Sequence, residues 1–248
     1  MKTPHPDWIV PNWQVAPAVR GFVTTRAGGV SPGPYASMNL GIRSGDAAEH
    51  VARNRAVLRE HLPADPVWLR QVHGARVVEA RPECTEAEAD AAVTRDAGAV
   101  CAVLVADCMP VLLADRDGRA VGLAHAGWRG LAGGVIESTV RAMGSDPACM
   151  VAWLGPAIGP RQFEVGPDVL EAFLTHSAAA GAAFLPRPTG PGKWLGNLEM
   201  LARQRLAECG VQSVGGGGMC TVEDARFFSH RRDRGVSGRM AALLWIDA

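Results

Sequence analysis

The hydrophobic positions of this chain follow two rhythms. Across residues 99–127, apolar side chains fill successive positions, AVCAVLVADC and then VLLADRDGRAVGLAHAG. This predicts strands buried on both faces, one turning into the next at Asp117-Gly118. MVAWL at 150–154 and RMAALLWI at 239–246 repeat the continuous apolar pattern and predict two more strands. From Gly21 a short strand dissolves into a Gly/Pro/Ser-rich loop ending at Gly41, and VWLRQVHGARVV at 67–78 predicts a strand, a turn at His73-Gly74 and a second strand.

The helical rhythm comes in separate blocks. Residues 47–62 place Val51, Ala56 and Leu58 toward a core and leave His50 and His61 on the polar flank as surface residues. A helix is expected after Gly130, with Leu131, Val135, Val140 and Met143 along one stripe. GPDVLEAFLTHS predicts another, with Pro167 in its first turn, and NLEMLARQRLAEC a third. Strands and helices alternate without a regular βαβ rhythm, so the expected fold class is α+β, a mixed β-sheet sandwich flanked by helices. No glycine-rich phosphate cradle of the dinucleotide or Walker type is present, and Gly215–Gly218 is too uniform to be one.

Composition narrows the picture. With 248 residues, 48% hydrophobic and 20% charged, the chain suits one globular domain over 1–248. Lys+Arg and Asp+Glu both number 25, so no net field favours nucleic acid or an anionic membrane. The N-terminal MKTPHPDWIVPNWQVAP never forms an apolar run, which predicts a cytoplasmic protein without membrane association. The six cysteines are scattered and form no C-x-x-C pair, so they are expected to be reduced thiols.

Three residues share one setting. His73 in QVHG, Cys108 in ADCMP and His125 in HAGWRG each sit where a hydrophobic strand ends, close to Gly or Pro. If those strands are neighbours, two imidazoles and a thiolate converge. That set suits zinc, with copper able to replace it in vitro, and leaves a fourth tetrahedral position open as in catalytic sites. Arg129 lies beside His125 in sequence and is a candidate cation of the site. Arg26 and Arg43 in the glycine-rich loops, and Arg231 in the basic run after His230, are further cations. Trp128 suits a pocket wall, Asp107 suits orienting an imidazole, and Glu164 suits proton transfer. The loop from Ala27 to Gly41, with Tyr35 and Asn39, is expected to border the site.

The motifs TTRAGGVSPGPYASMNLG, QVHG, ADAAVT, ADCMPVLL, HAGWRGLAGGV, GPAIGPRQFEVG and FFSHRRDRGVSGRMAALLWI occur in the order of the YfiH/YlmD family. This family is also called laccase-like or multicopper polyphenol oxidase, and the chain resembles it over nearly its whole length. The resemblance implies a fold related to bacterial deamidating toxins and identifies His73, Cys108 and His125 as metal ligands. It implies purine nucleoside phosphorolysis on adenosine, inosine, guanosine and methylthioadenosine, with adenosine deamination, which makes Arg129 a candidate for holding phosphate and Trp128 for stacking on the base. Either a monomer or a homodimer is compatible with the sequence. It also leaves room for a hydrolase that edits peptidoglycan precursors. His230, where relatives often have Tyr, and Ala157 and Arg161, where a Cys is common, are departures from the family pattern. Genuine laccase chemistry is not expected, because the seven histidines lie far apart and form no His-x-His pair. A further reading of the same residues makes Cys108 a nucleophile, His125 its base and Asp107 the orienter, with His73 dispensable. A non-catalytic small-molecule sensor is the reading that an open metal position argues against.

Overall fold

The computed structural model describes residues 2–187 and 190–248. In chain order its elements are β1 (Val19–Val23), α1 (Ala48–Arg59), β2 (Val77–Glu79), β3 (Ala91–Thr94), β4 (Cys101–Val105), β5 (Met109–Asp115) and β6 (Val121–Ala126). These are followed by α2 (Trp128–Ala132), α3 (Val135–Met143), β7 (Met150–Leu154), β8 (Glu164–Val165), α4 (Pro167–Leu174), β9 (Phe184–Pro186), β10 (Trp194–Gly196), α5 (Leu198–Glu208), β11 (Ser213–Gly216) and β12 (Met240–Ile246).

Two sheets stack face to face between helices, so the mixed α+β sandwich expected from the pattern is observed. One sheet has the order β1-β12-β4 and the other β11-β7-β5-β6-β3-β2. Side chains alternate between layers as the strand period requires. Leu112 and Ala114 of β5 and Val121 and Leu123 of β6 meet Val103 of β4 and Ala242 and Leu244 of β12 between the sheets. Val111 and Leu113 face the opposite way, onto Leu131, Val135, Ile136 and Val140. On the outer face of the smaller sheet, Phe22, Leu243 and Trp245 pack with Leu58 of α1 and Trp8. Both faces of β5, β6 and β12 are thus covered, which is why their sequences read as continuous apolar runs. A small sheet, β8-β10-β9, lies apart from these two.

The chain passes from one large sheet to the other at Ala106-Asp107-Cys108, between β4 and β5, and then turns at Asp117-Gly118 into the β5–β6 hairpin. The helix expected after Gly130 is two helices. The chain turns helical at Trp128 and breaks at Gly133-Gly134, where Gly134 adopts φ +87, a conformation that glycine takes at little cost. Pro167 opens α4 at its first positions, and the Asn197 side chain caps α5 by accepting from the Met200 amide.

Some local expectations need correction. In α1, Asn54 rather than Ala56 takes the buried position between Val51 and Leu58, because its amide binds Ser31 Oγ and the Ser37 and Asn39 carbonyls of the preceding loop. His50 and His61 are half-buried: His50 pairs with Asp46, and His61 packs edge-on against Trp8. The first half of 67–78 forms only isolated bridges, Val67 to Cys101 and Arg70 to Glu88. Its Gln71 amide, instead of strand backbone, satisfies both the N–H and the C=O of Leu104, each at 2.8 Å. No helix among the described residues is long and apolar enough to cross a membrane.

Candidate metal centre and its cleft

Four chain segments meet at one edge of the six-stranded sheet. β3 and β5 run antiparallel to β6, and β2 runs parallel to β3. The segments entering β2, β3 and β5 therefore lie beside the end of β6. They carry His73, Asp90 and Cys108 to His125, which pairs in register with Pro110. The sequence expectation is refined here: His125 lies near the end of β6, whereas Cys108 and His73 precede strands. One ligating atom from each of His73, Cys108 and His125 lies within 4.8 Å of the others, and the two imidazole centroids are 5.0 Å apart.

Asp90 holds this arrangement. Its side chain is fully buried, and Oδ1 meets His125 Nδ1 at 2.9 Å. The same carboxylate accepts the backbone N–H groups of Val72 (3.1 Å), His73 (2.9 Å) and Gly74 (2.7 Å), so three successive amides wrap one anion. That cradle keeps His73 at φ +61, in the left-handed region a non-glycine residue rarely enters. With Nδ1 committed to Asp90, the Nε2 of His125 is left to face the cluster. Burial alone would depress the acidity of Asp90, but His125 and the amides outweigh it and hold the carboxyl below its usual range.

Cys108 is chemically distinct from its neighbour Cys101. Burial pushes the Cys101 thiol well above its ordinary range. Burial acts the same way on Cys108, yet His125 and His73 beside it win, and its thiol falls to about 6. Conversely, burial would lower His125, but the Cys108 sulfur and Asp90 raise it to about 9. The two shifts describe one thiolate–imidazolium pair.

The space for this cluster is set by Gly127. A Cβ there would lie 2.7 Å from Cys108 Sγ and 3.1 Å from His73 Cδ2, so any side chain would invade the donor set. Two imidazole nitrogens and a thiolate, converging with a glycine kept open beside them, fit a borderline-soft metal ion.

The cluster lies in a cleft of about 520 Å³. Of the sequence-predicted residues, Arg43, Asp107, Trp128, Arg129 and Arg231 line it together with the three donors. Arg129 lies over the Trp128 ring at 4.4 Å and makes no ion pair among the described residues. Four predicted residues fall elsewhere. Asn39 is fully buried and pins the loop, accepting from Gly41 and Arg239 amides and donating to Ser44 and Asp46. Arg26 donates to the Ala36 carbonyl and stacks on Phe228. Glu164 pairs with Arg187, and Tyr35 is not among the lining residues. Only the end of the Ala27–Gly41 loop, at Gly41, reaches the cleft.

Asp107 does not orient an imidazole. At φ +85 its carboxylate turns to Thr221 Oγ1 (2.5 Å) and the Arg231 amide (2.7 Å), and Asp90 makes the histidine contact instead. Sequence reasoning also missed Arg55 and Arg239 on the cleft wall. Arg55 stacks on Trp68 at 4.1 Å, while Arg239 donates to the Ser237 and Gly238 carbonyls. Burial lowers both guanidinium groups from their ordinary value. Nothing in their flanking residues distinguishes them from surface arginines.

The chain belongs to the multi-copper polyphenol oxidoreductase laccase family, whose pattern matches residues 20–247. Among its relatives, the purine nucleoside phosphorylase of Pseudomonas aeruginosa is 48% identical over 241 residues, covering 97% of this chain and 98% of that protein. Purine nucleoside phosphorylase YfiH of Escherichia coli is also 48% identical, over 96% of this chain and 98% of its own. A crystal structure from Neisseria meningitidis superposes with TM-score 0.93 at 46% identity, covering 98% of this chain and all of that one (100%). YlmD from Geobacillus stearothermophilus gives 0.87 at 31% identity, covering 100% and 98%.

Proposed function

We propose that this protein is a zinc-dependent purine nucleoside phosphorylase that accepts adenosine, inosine, guanosine and methylthioadenosine and also deaminates adenosine to inosine. The observation that carries the reading is the His73/Cys108/His125 donor set inside a cleft lined by Arg43, Arg55, Arg129, Arg231 and Arg239. Relatives that match almost end to end bear the phosphorylase name. Six free thiols suit the reducing cytoplasm.

A zinc ion on the three donors supplies Lewis acidity for activating water at neutral pH, and copper could replace it in vitro. The remaining work falls to the chain. Arg129, which has no carboxylate partner among the described residues, holds the phosphate anion, with Arg231 and Arg43 as further cations on the same walls. Trp128 offers a flat apolar face for the purine. Asp90 fixes the tautomer of His125, and the cleft walls restrict water around the reacting bond. Incubating the zinc-loaded protein with adenosine, with and without phosphate, tests the reading by chromatography. Adenine plus ribose 1-phosphate should require phosphate, and inosine should form without it. Unchanged adenosine in both arms refutes it.

A second reading is supported by the Cys108–His125–Asp90 line itself, which is the geometry of a nucleophile, base and orienter. In it the enzyme is a Cys-His hydrolase with Cys108 as nucleophile, whereas a hydrolase that edits peptidoglycan precursors would use the metal site itself. His73 separates the two: His73→Ala abolishes metal-dependent phosphorolysis but leaves a Cys-His hydrolase active.

A further inference from the structure

Phosphorolysis of a purine nucleoside needs a proton donor as well as an anion site. As a phosphate oxygen bonds to C1′, the C1′–N9 bond breaks and its electron pair passes into the purine, which leaves as a neutral base only if N7 gains a proton. The titratable groups lining the cleft can be assigned in turn. His73, Cys108 and His125 form the donor cluster. Asp107 is engaged by Thr221 and the Arg231 amide, and Glu86 is engaged by Arg43 at 2.6 Å. Arginine does not release protons at neutral pH. What remains is His230, an exposed imidazole on the cleft wall that makes no side-chain hydrogen bond or ion pair among the described residues.

Its position is fixed although its ring is free. The amide of the next residue, Arg231, binds Asp107 Oδ2 at 2.7 Å, and Asp107 is the neighbour of Cys108 in the chain. The turn is closed by Asp233 N–H to Ser229 O (3.1 Å) and Gly235 N–H to His230 O (2.9 Å). A rigid turn therefore presents an uncommitted imidazole to the same cleft as the metal donors and Arg129.

We propose that His230 is the catalytic acid that protonates N7 of the departing purine. The imidazolium gives up its proton as the glycosidic bond breaks, and the neutral ring regains one from solvent at the exposed wall. This rests on the phosphorylase reading, and the test separates the two. Guanosine needs the N7 proton to leave, whereas 7-methylguanosine carries its positive charge already and leaves without one. His230→Gln and His230→Asn are assayed on both nucleosides with phosphate, after circular dichroism and zinc content confirm an intact protein. The expected result is a loss of kcat on guanosine of about 10²–10⁴-fold, the usual contribution of a general acid, with 7-methylguanosine turned over near the wild-type rate. Equal losses on both nucleosides, or no loss on guanosine in either variant, overturn the role of His230 while leaving the phosphorylase reading standing. A wild-type protein inert toward both nucleosides overturns that reading and this proposal together.

Discussion

Replacing Asp90 with Asn tests the buried carboxylate that ties His73 to His125. The substitution keeps side-chain volume, so it opens no cavity, and what it removes is acceptor capacity. In the native site Oδ1 accepts from the His73 amide and His125 Nδ1, both at 2.9 Å, while Oδ2 accepts from Gly74 at 2.7 Å and Val72 at 3.1 Å. An amide has one acceptor oxygen, so in either orientation two of the four donors meet an NH₂ group. A hydrogen bond to a charged group contributes about 1.5–3 kcal/mol, which gives about 3–6 kcal/mol for two. Val72 and His73 are exposed, and water recovers part of the loss. The expected destabilisation is about 2–4 kcal/mol, or a Tm decrease of roughly 5–15 °C for a chain of this size. Zinc affinity should fall about 10–100-fold, as when a ligand's orienting partner is lost. The native carboxyl titrates below its ordinary 3.8, so its contribution is full above that value and is lost as pH falls through the lower native one. The difference between wild type and variant should therefore shrink in strong acid. Urea denaturation of the metal-free proteins across pH, with chelator competition for zinc, measures both quantities. A variant within about 0.5 kcal/mol of wild type, the range of an unremarkable surface substitution, with unchanged zinc affinity would refute the role assigned to Asp90.

Three further outcomes are expected. In metal-free protein, iodoacetamide should alkylate Cys108 at a rate that stays high at neutral pH and falls only as pH drops through about 6. Zinc should protect it, and peptide mass spectrometry distinguishes it from the other five thiols. Gly127→Ala should abolish zinc binding and turnover, because its Cβ falls 2.7 Å from Cys108 Sγ, while costing only about 1–3 kcal/mol of stability as local overpacking; isothermal titration and denaturation read the two separately. Arg129→Ala should raise the phosphate requirement of phosphorolysis by the equivalent of about 1.5–3 kcal/mol and leave deamination less affected. Equal loss of both activities with zinc retained contradicts a phosphate role.

What could be read from sequence and what could not divide along a physical line. The buried strands were legible because covering both faces of β5 and β12 forces an apolar residue at every position, a local and periodic signature. His73, Cys108 and His125 were legible as residues at strand boundaries flanked by Gly or Pro, though not that they would meet. That depends on β2 lying parallel to β3 while β5 and β6 form a hairpin beside it. The pairing of strands decided the least visible assignment, that of the two acids. Asp107 stands next to Cys108 in sequence, so adjacency favoured it as the orienting partner. Its positive φ, however, turns the side chain out of the cluster toward Thr221, 114 residues away. Asp90 lies 35 residues from His125 yet enters β3 beside the end of β6, so its backbone and its carboxylate both bind that histidine. The same logic applies to Arg55 and Arg239, which reach the cleft from α1 and from the segment just before β12, elements of the smaller sheet's side. The donor cluster is built at one edge of the six-stranded sheet and the opposing cations arrive from the other layer. The chemistry therefore depends on how the two sheets stack, and the alternation along any single strand carries no record of that.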